Sequence, residues 1–138
     1  MSVFLDACTV IYRVEAVFPF NARFETLWRQ LAEEGHGNVL AVSRLTLLEC
    51  RVKPLRDGND ALLAKYDGLF MADGIAITEL DAPVIELATR LRARHGLRTP
   101  DALQAASCLV HQPGAPFVTA DASFQRVAGL NVRLLIPS

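Results

Sequence analysis

Short apolar runs alternate with amphipathic segments along the whole chain. The apolar runs are too short for helices, and polar or turn-forming residues bound them, so we interpret them as buried strands. They are VFL (3–5), VLAV (39–42), IAIT (75–78), FVT (117–119) and NVRLLI (131–136). Because helical segments separate them, the strands are expected to run parallel. The sequence therefore predicts an α/β fold, a three-layer αβα sandwich with a central, mostly parallel five-stranded sheet.

Helices are predicted between these strands, at 9–18, 22–35, 44–52, 61–72 and 82–96, from residue 99 onward, and at 123–129. Ser43 is expected to cap the helix that begins at residue 44, and Pro54 to end it. Thr99 is expected to cap a later helix, with Pro100 at its first position. With 138 residues the chain is predicted to form a single domain, 1–138, around one substantial core.

One helix carries an acid on its apolar side. Leu45, Leu48, Glu49 and Val52 follow the i, i+3, i+4, i+7 spacing, so they share a face that is predicted to pack against the core. An ionised glutamate there is costly unless it has a cationic partner or takes up a proton. The structural explanation is an arginine partner, for which the candidates are Arg44, Arg51 and Arg98. The alternative is a site in which several acids share a bound cation.

Three further acids stand at the ends of predicted elements. Asp6 directly follows the first strand, Asp101 lies in the first turn of the helix after Thr99, and Asp121 follows the FVT strand. Each has an ordinary explanation, as an N-cap, a first-turn acid favoured by the helix dipole, or an Asx turn. Open α/β sheets, however, bind ligands at the carboxyl ends of their strands, where these acids would meet around Glu49.

Such a cluster of acids is suited to binding a divalent metal ion. Converging carboxylates raise one another's pKa unless a divalent cation neutralises them. Oxygen ligands without histidine or thiolate suit Mg²⁺ or Mn²⁺, and these ions promote phosphodiester hydrolysis. Thr9 and Thr119 could orient the carboxylates or a water, although Thr119 is equally explained as a β-branched strand residue. The candidate catalytic and metal-binding residues are Asp6, Glu49, Asp101 and Asp121.

Four stretches, FLDACTVIY, SRLTLLEC, TPDALQAA and FVTAD, resemble the four acidic motifs of the PIN domain in order and separation. They span nearly the whole chain, and the likeness is greatest to VapC-type toxins of bacterial toxin and antitoxin pairs. The resemblance implies a Mg²⁺- or Mn²⁺-dependent ribonuclease site formed by the same four carboxylates. It also implies a homodimer and a cognate antitoxin that covers the site. Cys8 departs from the pattern, because family members often carry Thr or Ser there.

The net charge of the chain bears on where RNA could bind. The formal net charge is −1, so positive charge near the acids must come from a local patch. Arg98 and Arg51 are predicted to contact the substrate, and Arg98 is favoured because it precedes Asp101 by only 3 residues. Tyr12 is predicted to stack on an unpaired base.

The remaining composition is typical of a cytoplasmic protein. Cys8, Cys50 and Cys108 are far apart and lie in apolar runs, so we expect reduced, buried thiols. The N-terminal sequence has no signal-peptide pattern, and no apolar run is predicted to span a membrane.

Two other functions are compatible with parts of this pattern. A catalytically silent PIN-like module would keep the fold and act by protein–protein binding, through a surface formed by Phe18, Phe20, Phe70 and Met71. A phosphatase of the haloacid dehalogenase type also has an aspartate after its first strand, but it needs a second aspartate where this chain has Cys8. The leading hypothesis is a metal-dependent endoribonuclease that cleaves RNA phosphodiester bonds with metal-activated water.

Overall fold

The computed structural model describes residues 2–37 and 39–135. Its strands are β1 (Val3–Leu5), β2 (Leu40–Ser43), β3 (Ile75–Thr78), β4 (Pro116–Thr119) and β5 (Asn131–Leu134). They form one sheet in the order β3-β2-β1-β4-β5, and every neighbouring pair is parallel. The predicted five-stranded sheet is thereby confirmed. Residue 136, at the end of the last predicted strand, lies outside the described residues.

The helices are α1 (Ala7–Val14), α2 (Phe20–Glu33), α3 (Arg44–Arg56), α4 (Asp60–Phe70), α5 (Ala82–His95) and α6 (Thr99–His111). Helix α1 begins and ends earlier than predicted, because the side chain of Asp6 caps it directly after β1. The last predicted helix is a short 3-10 helix, Ala122–Arg126, which ends where Val127 adopts an extended conformation.

Helices cover both faces of the sheet and give the predicted three layers. Neighbouring residues of a strand point to opposite faces. In β1, Phe4 packs with Phe117 in a cluster that includes α5 and α6, whereas Val3 and Leu5 pack in a second cluster with α1 to α4. This burial on both faces explains why the strands are continuous apolar runs.

The buried face of α3 was predicted wrongly. Leu48 and Val52 are 57% and 48% exposed, whereas Leu47 and Cys50 lie in the core. Because this helix carries apolar residues on more than one side, their spacing alone did not determine which side packs. Glu49 consequently lies at the edge of the buried face and is half-buried.

The prediction that Pro54 ends this helix was also wrong, because α3 continues to Arg56. A proline so close to the end of a helix interrupts only its last turn. Helix α6 begins at Thr99, so Arg98 and not Thr99 is the N-cap residue, and Arg98 makes no side-chain capping bond. Pro100 is therefore the second helical residue.

Two predictions of exposure can be compared with the structure. Phe70 is buried in the core, so it does not belong to the apolar surface predicted for the silent module. Cys50 and Cys108 are buried as predicted, but Cys8 is exposed.

Across 2–37 and 39–135, no helix combines the length and apolar character that crossing a bilayer requires.

Candidate functional site

A pocket opens at the carboxyl edge of the sheet, next to the start of α6. Strands β1 and β4 are parallel neighbours, so the residues that follow them lie side by side. Six of the predicted site residues line this pocket, and they are Asp6, Tyr12, Arg98, Asp101, Thr119 and Asp121. The sequence positions that meet here are up to 115 residues apart, from 6 to 121.

Asp6 is the most buried of the acids in the pocket, at 6% exposure. Its Oδ1 accepts a hydrogen bond from the backbone N of Thr9 at 2.9 Å, and its Oδ2 accepts one from Thr119 Oγ1 at 2.6 Å. Burial raises the pKa of Asp6; these hydrogen bonds lower it, and the charge of Asp101 raises it further. Asp6 is thus both the N-cap of α1 and a carboxylate facing the pocket.

Thr119 joins two of the acids. While its hydroxyl donates to Asp6, the same Oγ1 accepts a hydrogen bond from the backbone N of Asp121 at 3.0 Å. Asp121 Oδ1 accepts from the backbone N of Ser123 at 2.9 Å, and this bond is the main reason that the pKa of Asp121 is lowered. Asp121 is therefore an exposed, ionised acid that also caps the 3-10 helix.

Asp101 faces the pocket from the first turn of α6, as predicted, and pairs with Arg98. Arg98 Nε lies 3.2 Å from Asp101 Oδ2, and the two side chains are 81% and 19% exposed. An exposed ion pair of this kind contributes little to stability. Arg98 consequently presents positive charge to solvent beside the acids.

Glu49 does not line the pocket, but the charged residues of the pocket shift its pKa. Burial raises its pKa, a hydrogen bond from Gln104 lowers it, the charges of Asp101 and Asp6 raise it, and the charge of Arg98 lowers it. Gln104 Nε2 lies 3.3 Å from Glu49 Oε1. The structure thus gives Glu49 an amide partner that the sequence analysis did not identify.

The arginines that could have neutralised Glu49 pair with other acids. Arg44 binds Glu79 through two nitrogens, with the shorter contact at 2.6 Å. Arg51 NH1 lies 3.6 Å from Asp67, on the outer side of α3 and α4. Among the residues that the structure describes, no arginine forms an ion pair with Glu49.

Two other predicted site residues, Thr9 and Arg51, do not line the pocket. Thr9 is buried; its hydroxyl donates to the carbonyl of Val118 at 2.9 Å, and its backbone N donates to Asp6 at 2.9 Å. Cys8, which is exposed as a residue, lines the pocket with its thiol partly desolvated; this desolvation and four neighbouring acids raise the pKa of the thiol to about 11, which keeps it protonated at neutral pH.

The oxygen donors at this pocket fit a hard divalent ion that keeps part of its water shell. Within the described ranges, no three His, Cys, Asp or Glu side chains are grouped closely enough to enclose a metal ion. Mg²⁺ is commonly bound through only one or two carboxylates and retains several waters. Asp6 and Asp101 supply two such carboxylates on one pocket, and the burial that raises the pKa of Asp6 favours a counter-charge beside it.

Comparison with known proteins gives one family match. A family model described as the PIN domain matches residues 3–130. No curated protein matched the chain.

Several solved structures share the fold over nearly the whole chain. VapBC2 from Rickettsia felis bound to a promoter DNA fragment has a TM-score of 0.75 and 17% identity, and the alignment covers 97% of this chain and 98% of that one. DNA-bound VapBC from Salmonella typhimurium has a TM-score of 0.72 and 16% identity, covering 99% and 100%. Mycobacterium tuberculosis VapC20, a Sarcin-Ricin loop cleaving toxin, has a TM-score of 0.71 and 16% identity, covering 95% and 98%. At these identities the likeness shows a common fold.

Proposed function

The chain belongs to the PIN domain family, and from this premise we propose that it is a metal-dependent endoribonuclease of the VapC toxin type. The observation that carries the proposal is the meeting of Asp6, Asp101 and Asp121 in one pocket at the carboxyl edge of the sheet. Parallel α/β sheets bind ligands at this edge. A buried carboxylate next to two other acids is an unfavourable arrangement that a bound cation would relieve.

Mg²⁺ or Mn²⁺ would be held by Asp6 and Asp101, and Glu49 and Asp121 would contribute through waters that the ion retains. When bound, the ion supplies charge stabilisation for a phosphoryl oxygen and lowers the pKa of a water. Thr119 fixes the orientation of the Asp6 carboxylate by donating to Oδ2. The backbone N of Thr9 fixes Oδ1 in the same way, so the acid loses little freedom when a cation arrives.

RNA is the proposed substrate, and Arg98 would contact its phosphates. Arg98 is highly exposed at the pocket, where a guanidinium can attract a phosphate that approaches the acids. Without this positive charge, the acids would repel the polyanion. The pairing of Arg98 with Asp101 also holds the guanidinium close to the pocket.

Tyr12 is proposed to stack on an unpaired base, and Tyr12→Ala is expected to raise the KM for single-stranded RNA about 10-fold. Its ring lines the pocket and stacks on Phe20 with 4.3 Å between ring centroids, so it is held in place by a second aromatic side chain. Cleavage kinetics on a single-stranded oligonucleotide would measure the change. Tyr12→Phe retains the ring and is the matched control, and a loss as large as that of Tyr12→Ala would contradict stacking.

An antitoxin is the proposed protein partner. The neighbours from Rickettsia felis and Salmonella typhimurium are described as VapBC, and the one from Klebsiella pneumoniae as a toxin-antitoxin complex. We extend that arrangement to this chain, with an antitoxin that covers the acid pocket. Co-expression of a small protein encoded next to this chain should then suppress RNA cleavage by it.

A homodimer is also proposed, through the apolar side of α3 that the sequence analysis had assigned to the core. Leu48, Val52 and Leu55 follow one another at helical spacing and are exposed, beside a groove between α3 and α4. Arg51 and Asp67 flank this groove with opposite charges. In a two-fold arrangement each copy presents the same apolar strip and both charges, so the surface is complementary to itself.

Val52→Asp is expected to convert this dimer into a monomer, because two buried carboxylates would face the apolar strip of the other copy. Light scattering coupled to gel filtration measures the mass directly. Ile85→Asp, which places the same charge at an exposed apolar position on α5, should leave the dimer intact. A monomeric wild-type protein, or a Val52→Asp variant that remains dimeric, would exclude this interface.

The function as a whole is tested by incubating the purified protein with total cellular RNA and mapping the new 5′ ends. We expect discrete cuts in the presence of Mg²⁺ or Mn²⁺ and none after EDTA treatment. Cleavage that survives EDTA would contradict the proposed metal dependence. Intact RNA under all conditions, together with tight binding of a partner protein, would instead support the catalytically silent module.

A further inference from the structure

Gln104 is a polar residue in a core position of α6, with 3% exposure. Its Nε2 donates one hydrogen bond to Thr46 Oγ1 at 2.8 Å and a second to Glu49 Oε1 at 3.3 Å. Both acceptors belong to α3, so the amide nitrogen connects the helix that carries Asp101 to the helix that carries Glu49.

The other half of this amide is not satisfied. Gln104 Oε1 is buried and has no hydrogen-bond partner among the described residues. An unpaired buried acceptor lowers stability, and a leucine of similar size would remove this oxygen, although it would also take the donor away from the buried Thr46 Oγ1. Packing therefore does not explain a glutamine at this position. Its advantage must lie in the two bonds that the nitrogen donates.

The orientation of the amide fits an ionised Glu49. With the nitrogen toward the carboxylate, each N–H meets an oxygen acceptor on α3. With the amide reversed, its oxygen would face the carboxylate oxygen and repel it. This hydrogen bond thus favours the charged form of Glu49, against the burial that raises its pKa.

Glu49 needs such a contact because the neighbouring acids repel it. It is half-buried and has three rotatable side-chain bonds; Asp6 and Asp101 repel it, and Arg98 offsets this repulsion in part. A carboxylate without a donor on its buried side can adopt several side-chain conformations. Gln104 lies 3 residues after Asp101 on α6, and therefore on the same face of that helix.

We propose that Gln104 is a positioning residue, which fixes the side-chain conformation of Glu49 so that its carboxylate contributes to binding the divalent ion with Asp6 and Asp101. This inference rests on the proposed function and concerns how the ion is held. Residues that orient metal ligands through hydrogen bonds commonly change metal affinity 10–100-fold when they are replaced.

The test is the affinity of the full-length protein for Mn²⁺, measured by calorimetry. Gln104→Leu is expected to weaken binding about 10-fold, because Glu49 loses its donor. The melting temperature of the metal-free variant should change little, because the loss of the donor to the buried Thr46 Oγ1 is offset by removal of the unpaired Oε1. Gln104→Met, which is unbranched, serves the same purpose if leucine disturbs the packing.

The matched control is Ser107→Ala. Ser107 Oγ donates to Ser43 Oγ at 3.3 Å, which is another polar contact between α6 and the start of α3, and it does not touch Glu49. If Gln104 acted only by joining the two helices, Ser107→Ala would also weaken Mn²⁺ binding. We expect its affinity to equal that of the wild-type protein.

A double-mutant cycle separates positioning from other effects. Gln104→Leu should cause no further loss in a Glu49→Gln background, because the group that it positions no longer binds the ion. Wild-type affinity in Gln104→Leu, or an equal loss in both backgrounds, would overturn the inference while leaving the proposed function standing. A wild-type protein that binds no Mn²⁺ would overturn the metal-dependent function, and this inference with it.

Discussion

Asp6→Asn is expected to lower RNA cleavage by about 100-fold or more while the protein remains folded, because a direct ligand should matter at least as much as a residue that supports one. The substitution removes the buried charge that faces the pocket. It retains an oxygen for the backbone N of Thr9, and asparagine caps helices about as well as aspartate. The hydroxyl of Thr119 can accept from the new amide. Initial cleavage rates and circular dichroism would measure the two effects separately.

The control for this variant is Asp81→Asn. Asp81 caps α5 as Asp6 caps α1, with its Oδ1 accepting from the backbone N of Val84 at 3.3 Å, and it does not line the pocket. We expect it to cleave RNA at the wild-type rate. A similar loss in both variants would indicate an effect of capping, and wild-type cleavage by Asp6→Asn would contradict the nuclease.

The strands and the pocket could be predicted from the sequence because both depend on local signals. A strand that is buried on both faces must be a continuous apolar run, and a parallel sheet places the residues that follow its strands at one edge. Asp6 and Asp121 could therefore be placed together from the runs VFL and FVT alone. Asp101 followed from its position in the first turn of a helix that begins at Thr99.

The surroundings of Glu49 could not be predicted, because they depend on contacts between distant elements. Helix α3 is apolar on more than one side, so the spacing of its apolar residues allowed either side to be the buried one and favoured the side that the structure shows to be exposed. Gln104 gave a weak local signal, a single large polar residue among the small residues of α6. Its partner on α3 is 55 residues away in the sequence, and only the packing of the two helices brings them together.

The same buried acids should make the stability of the metal-free protein depend on pH in an unusual direction. Burial raises the pKa of Asp6 above its ordinary 3.8. The folded state therefore binds the proton more tightly than the unfolded state does. The stabilisation from this group is complete below about pH 3.8 and is lost as the pH rises through the folded-state pKa. Asp6→Asn should accordingly gain stability relative to the wild-type protein as the pH increases from 4 to 7.

A divalent ion should reverse this effect in the wild-type protein only. At a Mn²⁺ concentration of about 100 times Kd, binding to the folded state adds about 2.7 kcal/mol to the free energy of unfolding. For a domain of this size that corresponds to a rise in Tm of roughly 8 °C. Thermal melts of both proteins at pH 7, with and without Mn²⁺, measure the difference. If Mn²⁺ raised the Tm of Asp6→Asn by the same amount, the ion would bind at a different site. A wild-type Tm that Mn²⁺ does not change would argue against a metal at the acid pocket.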